Sequence, residues 1–165
     1  MSQTDTLVFP NLIYLHDYGG DFQAYFTAVY KIFEHDFIKS QPQYEGLKVA
    51  VRKYPEMDGL HRTFYHITHE GKDENNRSPN IRRMERIRYP RFVVEQRKHP
   101  EIRIWKNRRG KDERILLFNE SENYLVVLTQ RRDYLLFITA YVVNREHRKR
   151  SLLREYEAYK KTKTA

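Results

Sequence analysis

Residues 114–143 read RILLFNESENYLVVLTQRRDYLLFITAYVV, and three apolar runs alternate there with short polar connectors. Runs of this length with so few residues between them are expected to pair antiparallel, each with the run before it. Ile102 and Ile104 alternate with polar neighbours just upstream, which adds a first strand. The sequence therefore predicts a four-stranded antiparallel meander, with its last three strands at 114–118, 123–129 and 134–143.

The chain before the meander is predicted to be rich in helices. Asp21 is a candidate N-cap, and apolar residues follow it at spacings of three and four up to about residue 39. This stripe is expected to pack into the core and comprises Phe22, Phe26, Val29, Tyr30, Phe33 and Phe37. Residues 47–54 indicate a strand. Ser78 and Pro79 could start a short helix that Tyr89-Pro90 ends, and the pattern at 61–69 leaves its structure open.

A basic helix is predicted from about residue 145, with Leu152 and Tyr156 on its apolar side. The expected fold class is therefore α+β: a helix-rich N-terminal half, a four-stranded antiparallel meander and a basic C-terminal helix. With 165 residues the chain fits a single domain, 1–165. It divides by charge into an acidic, aromatic segment, 1–46, and a basic α+β core, 47–165.

The charge distribution favours a polyanionic partner. The net charge is +9, but residues 1–46 carry −4 and residues 47–165 carry +13. A one-sided positive field rich in arginine attracts phosphate backbones, so RNA is the expected partner, with tRNA one candidate. The alternative is that the basic residues only keep the surface soluble.

Several function classes are not expected. The chain has no cysteine, which excludes disulfides, thiolate metal sites and a cysteine nucleophile. It has no glycine-rich phosphate loop, no Gly-x-Ser-x-Gly elbow and no dinucleotide fingerprint, so ATP-driven and nicotinamide chemistry are not expected. The start of the chain lacks the features of a signal peptide and no apolar run could span a bilayer, so we expect a cytoplasmic protein with no membrane partner.

Three groups of residues could carry chemistry, each with a plainer alternative. His61, His66 and His69 lie within nine residues; proton transfer by His66 is a stronger candidate than a metal site, and packed or surface histidine is the commonest outcome. The arginines around Arg83 and Arg86 could hold a phosphate or form a solvated face. On the last strand, Phe137, Thr139 and Tyr141 are predicted to share one face, which suits a cleft but also suits ordinary strand formers.

The runs at 114–118, 123–128 and 134–141, ending in Thr139-Ala140-Tyr141, resemble the closing meander of the barnase–EndoU–colicin–RelE class of ribonucleases, closest to its phage-associated branch. The resemblance covers about residues 60–145 and implies cleavage by attack of a ribose 2′-hydroxyl, without a metal or cofactor. It implies His66 as acid or base, Arg83 and Arg86 as phosphate ligands and Thr139 as a phosphate contact, with Tyr141 beside it. The RNA-binding candidates are Arg82, Arg88, Trp105, Lys106 and Arg108.

The leading functional hypothesis is thus a metal-independent endoribonuclease of toxin or phage-element type, for which an inhibitor protein is a further candidate partner. The first alternative is a non-catalytic RNA- or DNA-binding module of a mobile element. The second is a protein-interaction component that uses the acidic, aromatic N-terminal segment. The sequence does not determine base preference or oligomeric state.

Overall fold

The structure, a computed structural model, describes residues 5–164. Residues 1–4 and residue 165 lie outside the described residues. The expectation that the start of the chain is not a signal peptide therefore falls partly on residues that the structure does not describe. The helices are α1 (Phe22–Phe33), α2 (Arg62–Thr68), α3 (Ile81–Glu85), α4 (Tyr89–Glu95) and α5 (Glu146–Thr164), with a 3-10 helix at Leu15–Tyr18 and a π-helix at Glu34–Lys39. The strands are β1 (Gln43–Tyr44), β2 (Leu47–Ala50), β3 (His69–Glu70), β4 (Ser78–Pro79), β5 (Ile102–Arg109), β6 (Asp112–Asn119), β7 (Tyr124–Gln130) and β8 (Leu135–Val142).

The meander exists and belongs to a larger sheet. β5, β6, β7 and β8 pair antiparallel in chain order, as predicted. β2 adds to β8 in parallel and β1 adds to β2, so the sheet is mixed, with six strands in the order β1-β2-β8-β7-β6-β5. The α+β class is confirmed, and the four-stranded sheet is corrected to six strands. Because β2 pairs only with Leu135 and Leu136, the rest of that β8 edge is left to α2, which packs against it.

A bulge in β8 changes which side chains share a face. Leu128 of β7 lies opposite Phe137, whereas the next residue, Val127, lies opposite Thr139. Ile138 is therefore an extra residue, and period two breaks there. The side chain of Phe137 lies on the face of the sheet that packs against α1 and the π-helix. Its ring stacks on that of Phe37, with 5.0 Å between the ring centroids. The prediction that Phe137 shares a face with Thr139 and Tyr141 is wrong for Phe137.

The helices before the meander cover one face of the sheet. Asp21 caps α1 as predicted, since its Oδ1 accepts a hydrogen bond from the N–H of Ala24 at 3.2 Å. The buried stripe of α1 and the π-helix consists of Tyr25, Val29, Phe33 and Phe37, which pack in one core with Phe64, Leu117, Val126 and Phe137. Phe22, predicted to be in the stripe, is 38% exposed.

Three local predictions need correction. The strand expected at 47–54 ends at Ala50. The unassigned stretch at 61–69 forms α2. Tyr89-Pro90 does not end a helix but begins α4, because proline lacks an N–H and the first helical turn does not need one.

α5 covers the opposite face of the sheet, where Trp105, Leu116, Phe118, Leu125, Val127 and Leu152 form a second core. One carboxylate oxygen of Glu155 accepts hydrogen bonds from Trp105 Nε1 at 2.8 Å and from Asn107 Nδ2 at 2.6 Å. This residue therefore fixes the helix against β5. Within residues 5–164, α5 is long enough but too polar to cross a bilayer, and no other helix combines the needed length and apolarity.

Substituting Glu155 by alanine is expected to lower the free energy of unfolding by about 1–3 kcal/mol, because the buried Trp105 and the half-buried Asn107 lose the acceptor of their side-chain hydrogen bonds. Urea unfolding measures the change. Glu157→Ala on the same helix is the matched control, since Glu157 is exposed and its ion pair with Lys160 lies at the surface. Equal stability of the two variants would contradict this role of Glu155.

Candidate nucleic-acid interface

Two clefts lie beside the open edge of β8. The His66 cleft has a volume of about 430 Å³ and is lined by Arg52, Pro55, Arg62, Thr63, His66, Glu74 and residues 136–138 of β8. The arginine cleft has a volume of about 330 Å³ and is lined by Arg82, Arg83, Arg145 and Arg148, with Glu70, Asn80 and residues 141–144. α2 and its C-terminal end separate the two.

His66 is held by a carboxylate. Its Nδ1 lies 3.0 Å from Glu74 Oε1, and Glu74 Oε2 accepts a hydrogen bond from Arg77 Nη2 at 2.7 Å. Burial opposes the charged form of Glu74, but His66, Arg77 and Arg62 together hold its pKa below the ordinary value. An ionised carboxylate only accepts hydrogen bonds, so Nδ1 of a neutral His66 carries the proton and Nε2 carries the lone pair. The pair has the form of an oriented general base.

Burial lowers the pKa of His66 below its ordinary value, and Arg77 and Arg83 act in the same direction, while the Glu74 hydrogen bond opposes them. The pKa values of His61 and His69 are also lowered, first of all by burial. At neutral pH all three imidazoles are therefore expected to be uncharged.

Acid is expected to destabilise the fold through these histidines. Because their pKa values are lower in the folded chain, their contribution to the free energy of unfolding is complete above about pH 6.5 and is lost as the pH falls below it. Urea unfolding at a series of pH values measures this loss. His66→Gln should reduce the dependence on pH relative to wild type. An unchanged dependence in His66→Gln would contradict the shift.

Two arginines, Arg52 and Arg62, give the His66 cleft its positive charge. Arg52 is exposed and forms no ion pair among residues 5–164. Arg62 Nη1 is buried and makes no hydrogen bond within the same residues; its nearest carboxylate oxygen, on Glu74, is 4.0 Å away. Arg62 therefore contributes positive charge beside the cleft, while the exposed Arg52 can contact an anion directly.

Arg83 joins the two clefts. Its Nη1 donates to the carbonyl oxygens of His66 and His69, at 3.2 and 3.1 Å, at the C-terminal end of α2. A cation there offsets the partial negative charge of the last carbonyls. The same guanidinium lies over the ring of Tyr141, 5.6 Å from its centroid. Arg83 thus ties α2 to β8 while its charge faces the arginine cleft.

The arginine cleft carries an excess of positive charge. Arg82, Arg145 and Arg148 form no ion pair with a carboxylate anywhere in residues 5–164. Glu70 is the single carboxylate among the four guanidinium groups that line the cleft. Guanidinium groups so arranged repel one another unless an anion lies between them, and they match the geometry of a phosphate.

The predicted catalytic residues do not all meet. Arg83 and Tyr141 lie together in the arginine cleft with Arg82, and His66 lines the neighbouring cleft. Thr139 shares the α5 side of the sheet with Tyr141 and lines neither cleft. Arg86 lies over the ring of Tyr89, 5.9 Å from its centroid, and is not part of either cleft. Thr139 and Arg86 therefore lie outside the two clefts, and their catalytic roles stay predictions from the sequence.

The residues predicted to bind RNA do not form one surface either. Trp105 has no exposed surface and its Nε1 is bonded to Glu155, so its predicted role as a stacking ring is wrong. Arg88 donates to the carbonyl of Asn11 at 3.2 Å, away from both clefts. Lys106 and Arg108 are exposed, but β5 is three strands from β8, about 14 Å across the sheet.

Five residues that line the two clefts were not among the site residues predicted from the sequence: Glu74, Arg52, Arg62, Arg145 and Arg148. Glu74 stands in a polar loop, eight residues from His66, where no regular spacing indicates a pair. Arg148 lies in the first turn of α5 and Arg145 directly precedes that helix, and nothing in their spacing relates them to Arg82.

No family model, no curated protein and no solved structure matches this chain. The resemblance to the barnase–EndoU–colicin–RelE class therefore stays a prediction from the residues of the meander.

Proposed function

We propose that this protein binds RNA along the open edge of β8 and cleaves it, without a metal, by attack of a ribose 2′-hydroxyl on the adjacent phosphate. The observation that carries the proposal is the His66–Glu74 pair in a cleft that also holds Arg52 and Arg62. The resemblance of the meander to a ribonuclease class points the same way.

The chemistry follows from the geometry of the pair. His66 Nε2 takes the proton of the 2′-hydroxyl, the 2′-oxygen bonds to phosphorus, and the bond from phosphorus to the 5′-oxygen breaks. The departing 5′-oxygen takes a proton from water. The products are a 2′,3′-cyclic phosphate and a 5′-hydroxyl. Arg52 and Arg62 offset the additional negative charge on the phosphorane-like state.

The arginine cleft supplies binding rather than chemistry. Arg83 ties it to the carbonyl of His66, so a strand with one phosphate among the arginines has its neighbouring nucleotides close to the His66 cleft. Its four guanidinium groups account for affinity without any catalytic group. This favours a second candidate function, that of an RNA-binding module that does not cleave.

Incubation with total RNA and with purified tRNA in excess EDTA tests the proposal. We expect fragments that end in a 2′,3′-cyclic phosphate, and a gel-shift assay on the same samples measures binding. Binding with intact RNA after long incubation would overturn the enzyme and support the module. Absence of binding at low salt would overturn both, and a stable protein partner on pull-down would then support the interaction role.

A further inference from the structure

A third cleft adjoins the His66 cleft. It has a volume of about 430 Å³ and is lined by Gln41, Lys48, Arg131 and Tyr134, together with Arg52 and Leu136, which also line the His66 cleft. We call it the Tyr134 cleft. The two clefts therefore adjoin at Arg52 and at Leu136, near the start of β8.

Tyr134 offers an aromatic surface in this cleft. The residue is 38% exposed, and it stands in the turn that joins β7 to β8. Its backbone is fixed, because its carbonyl oxygen accepts a hydrogen bond from the N–H of Arg131 at 2.9 Å. An exposed ring on a fixed backbone can stack on a nucleobase at little cost in conformational entropy.

The charges around the ring are positive. Lys48 and Arg52 form no ion pair within residues 5–164, whereas Arg131 lies 3.3 Å from a carboxylate oxygen of Asp112. The backbone of Arg52 is held to α2, since its N–H donates to Thr63 Oγ1 at 2.8 Å and its carbonyl accepts from Thr63 N at 3.1 Å. Arg52, which lines both clefts, is therefore held at their common border.

We propose that the Tyr134 cleft is a base-binding subsite for single-stranded RNA. One base stacks on Tyr134, the adjoining phosphate contacts Arg52 and Lys48, and the next nucleotide enters the His66 cleft. A base inside a duplex has both faces covered by its neighbours and cannot stack on a side chain, so the subsite selects unpaired RNA. This inference rests on the proposed function and adds to it the class of substrate.

The test uses a single-stranded 2′-O-methyl RNA of about 12 nucleotides, which cannot be cleaved, the same strand in a duplex, and the same strand with abasic positions. Fluorescence anisotropy measures affinity for wild type, Tyr134→Ala, Tyr134→Phe and Tyr14→Ala. Tyr14 is the matched control, because it is 37% exposed and lines none of the three clefts. Far-UV circular dichroism verifies that each variant is folded.

We expect Tyr134→Ala to weaken binding of the single strand by about tenfold, Tyr134→Phe and Tyr14→Ala to bind like wild type, and the abasic strand to lose the effect of Tyr134→Ala. Unchanged binding of the single strand by Tyr134→Ala, with wild type still binding it, would overturn the base subsite and leave the proposed function in place. No binding of any strand by wild type at low salt would overturn both.

Discussion

Replacing His66 with alanine is expected to slow RNA cleavage by about 10²–10⁴-fold while changing RNA affinity by less than about twofold. His66 lines the cleft, and Glu74 holds its imidazole in the tautomer whose Nε2 can accept a proton. The affinity for the RNA phosphates is expected to depend on the arginines rather than on His66. Single-turnover cleavage of a labelled RNA, with gel-shift affinity measured in parallel, separates the two effects.

Glu74→Gln tests the orientation of the ring separately. The amide oxygen of glutamine still accepts a hydrogen bond from Nδ1, but the negative charge that raises the pKa of His66 is gone. Cleavage should become slower, and the rise of rate with pH should move to lower pH. His35→Ala is the control, since this side chain is 73% exposed and outside the cleft. Cleavage by His66→Ala at the rate of wild type would remove the proposed site.

The meander was predictable because its signal is local. Three apolar runs with polar connectors have few other ways to pair, and the structure has those strands within a few residues of the expected ends. The parallel contact of β2 with β8 was not predictable, because it joins only two residue pairs that are far apart in the chain. Because this pairing stops at Leu136, the rest of that β8 edge has no strand partner within residues 5–164, and α2 packs there beside the clefts.

The site was less predictable than the fold because it depends on single residues. One bulged residue, Ile138, separates Phe137 from Thr139, and no feature of FITAY indicates it. Trp105 stands between the half-buried Ile104 and the exposed Lys106 on an edge strand, and the helix that covers it begins about 40 residues later. Residue type and charge density were enough to propose His66 and Arg83 as site residues. Their hydrogen-bond partners, Glu74 for His66 and the last carbonyls of α2 for Arg83, became evident only from the tertiary structure.

Removing three charges from the arginine cleft, with Arg82, Arg145 and Arg148 all changed to glutamine, is expected to weaken RNA binding by about 10²-fold near physiological salt. Each guanidinium that contacts a phosphate releases counterions, so the slope of log affinity against log salt should fall by about 2 for single-stranded RNA. Arg83 is left unchanged, because it holds the C-terminal end of α2 and its loss would also disturb the fold. Gel-shift titrations at several salt concentrations measure both quantities.

The matched control removes the same number of charges elsewhere. Lys31, Lys39 and Lys98 are all exposed and line neither the arginine cleft nor the His66 cleft. If net charge alone attracted RNA, changing these three to glutamine would weaken binding as much as the arginine variant does. If the cleft holds phosphates, the lysine variant keeps an affinity and a salt slope close to those of wild type, because contacts rather than the distant field set the affinity. An equal loss of RNA affinity in the two variants would therefore indicate that the arginine cleft attracts RNA only as one part of a generally basic surface.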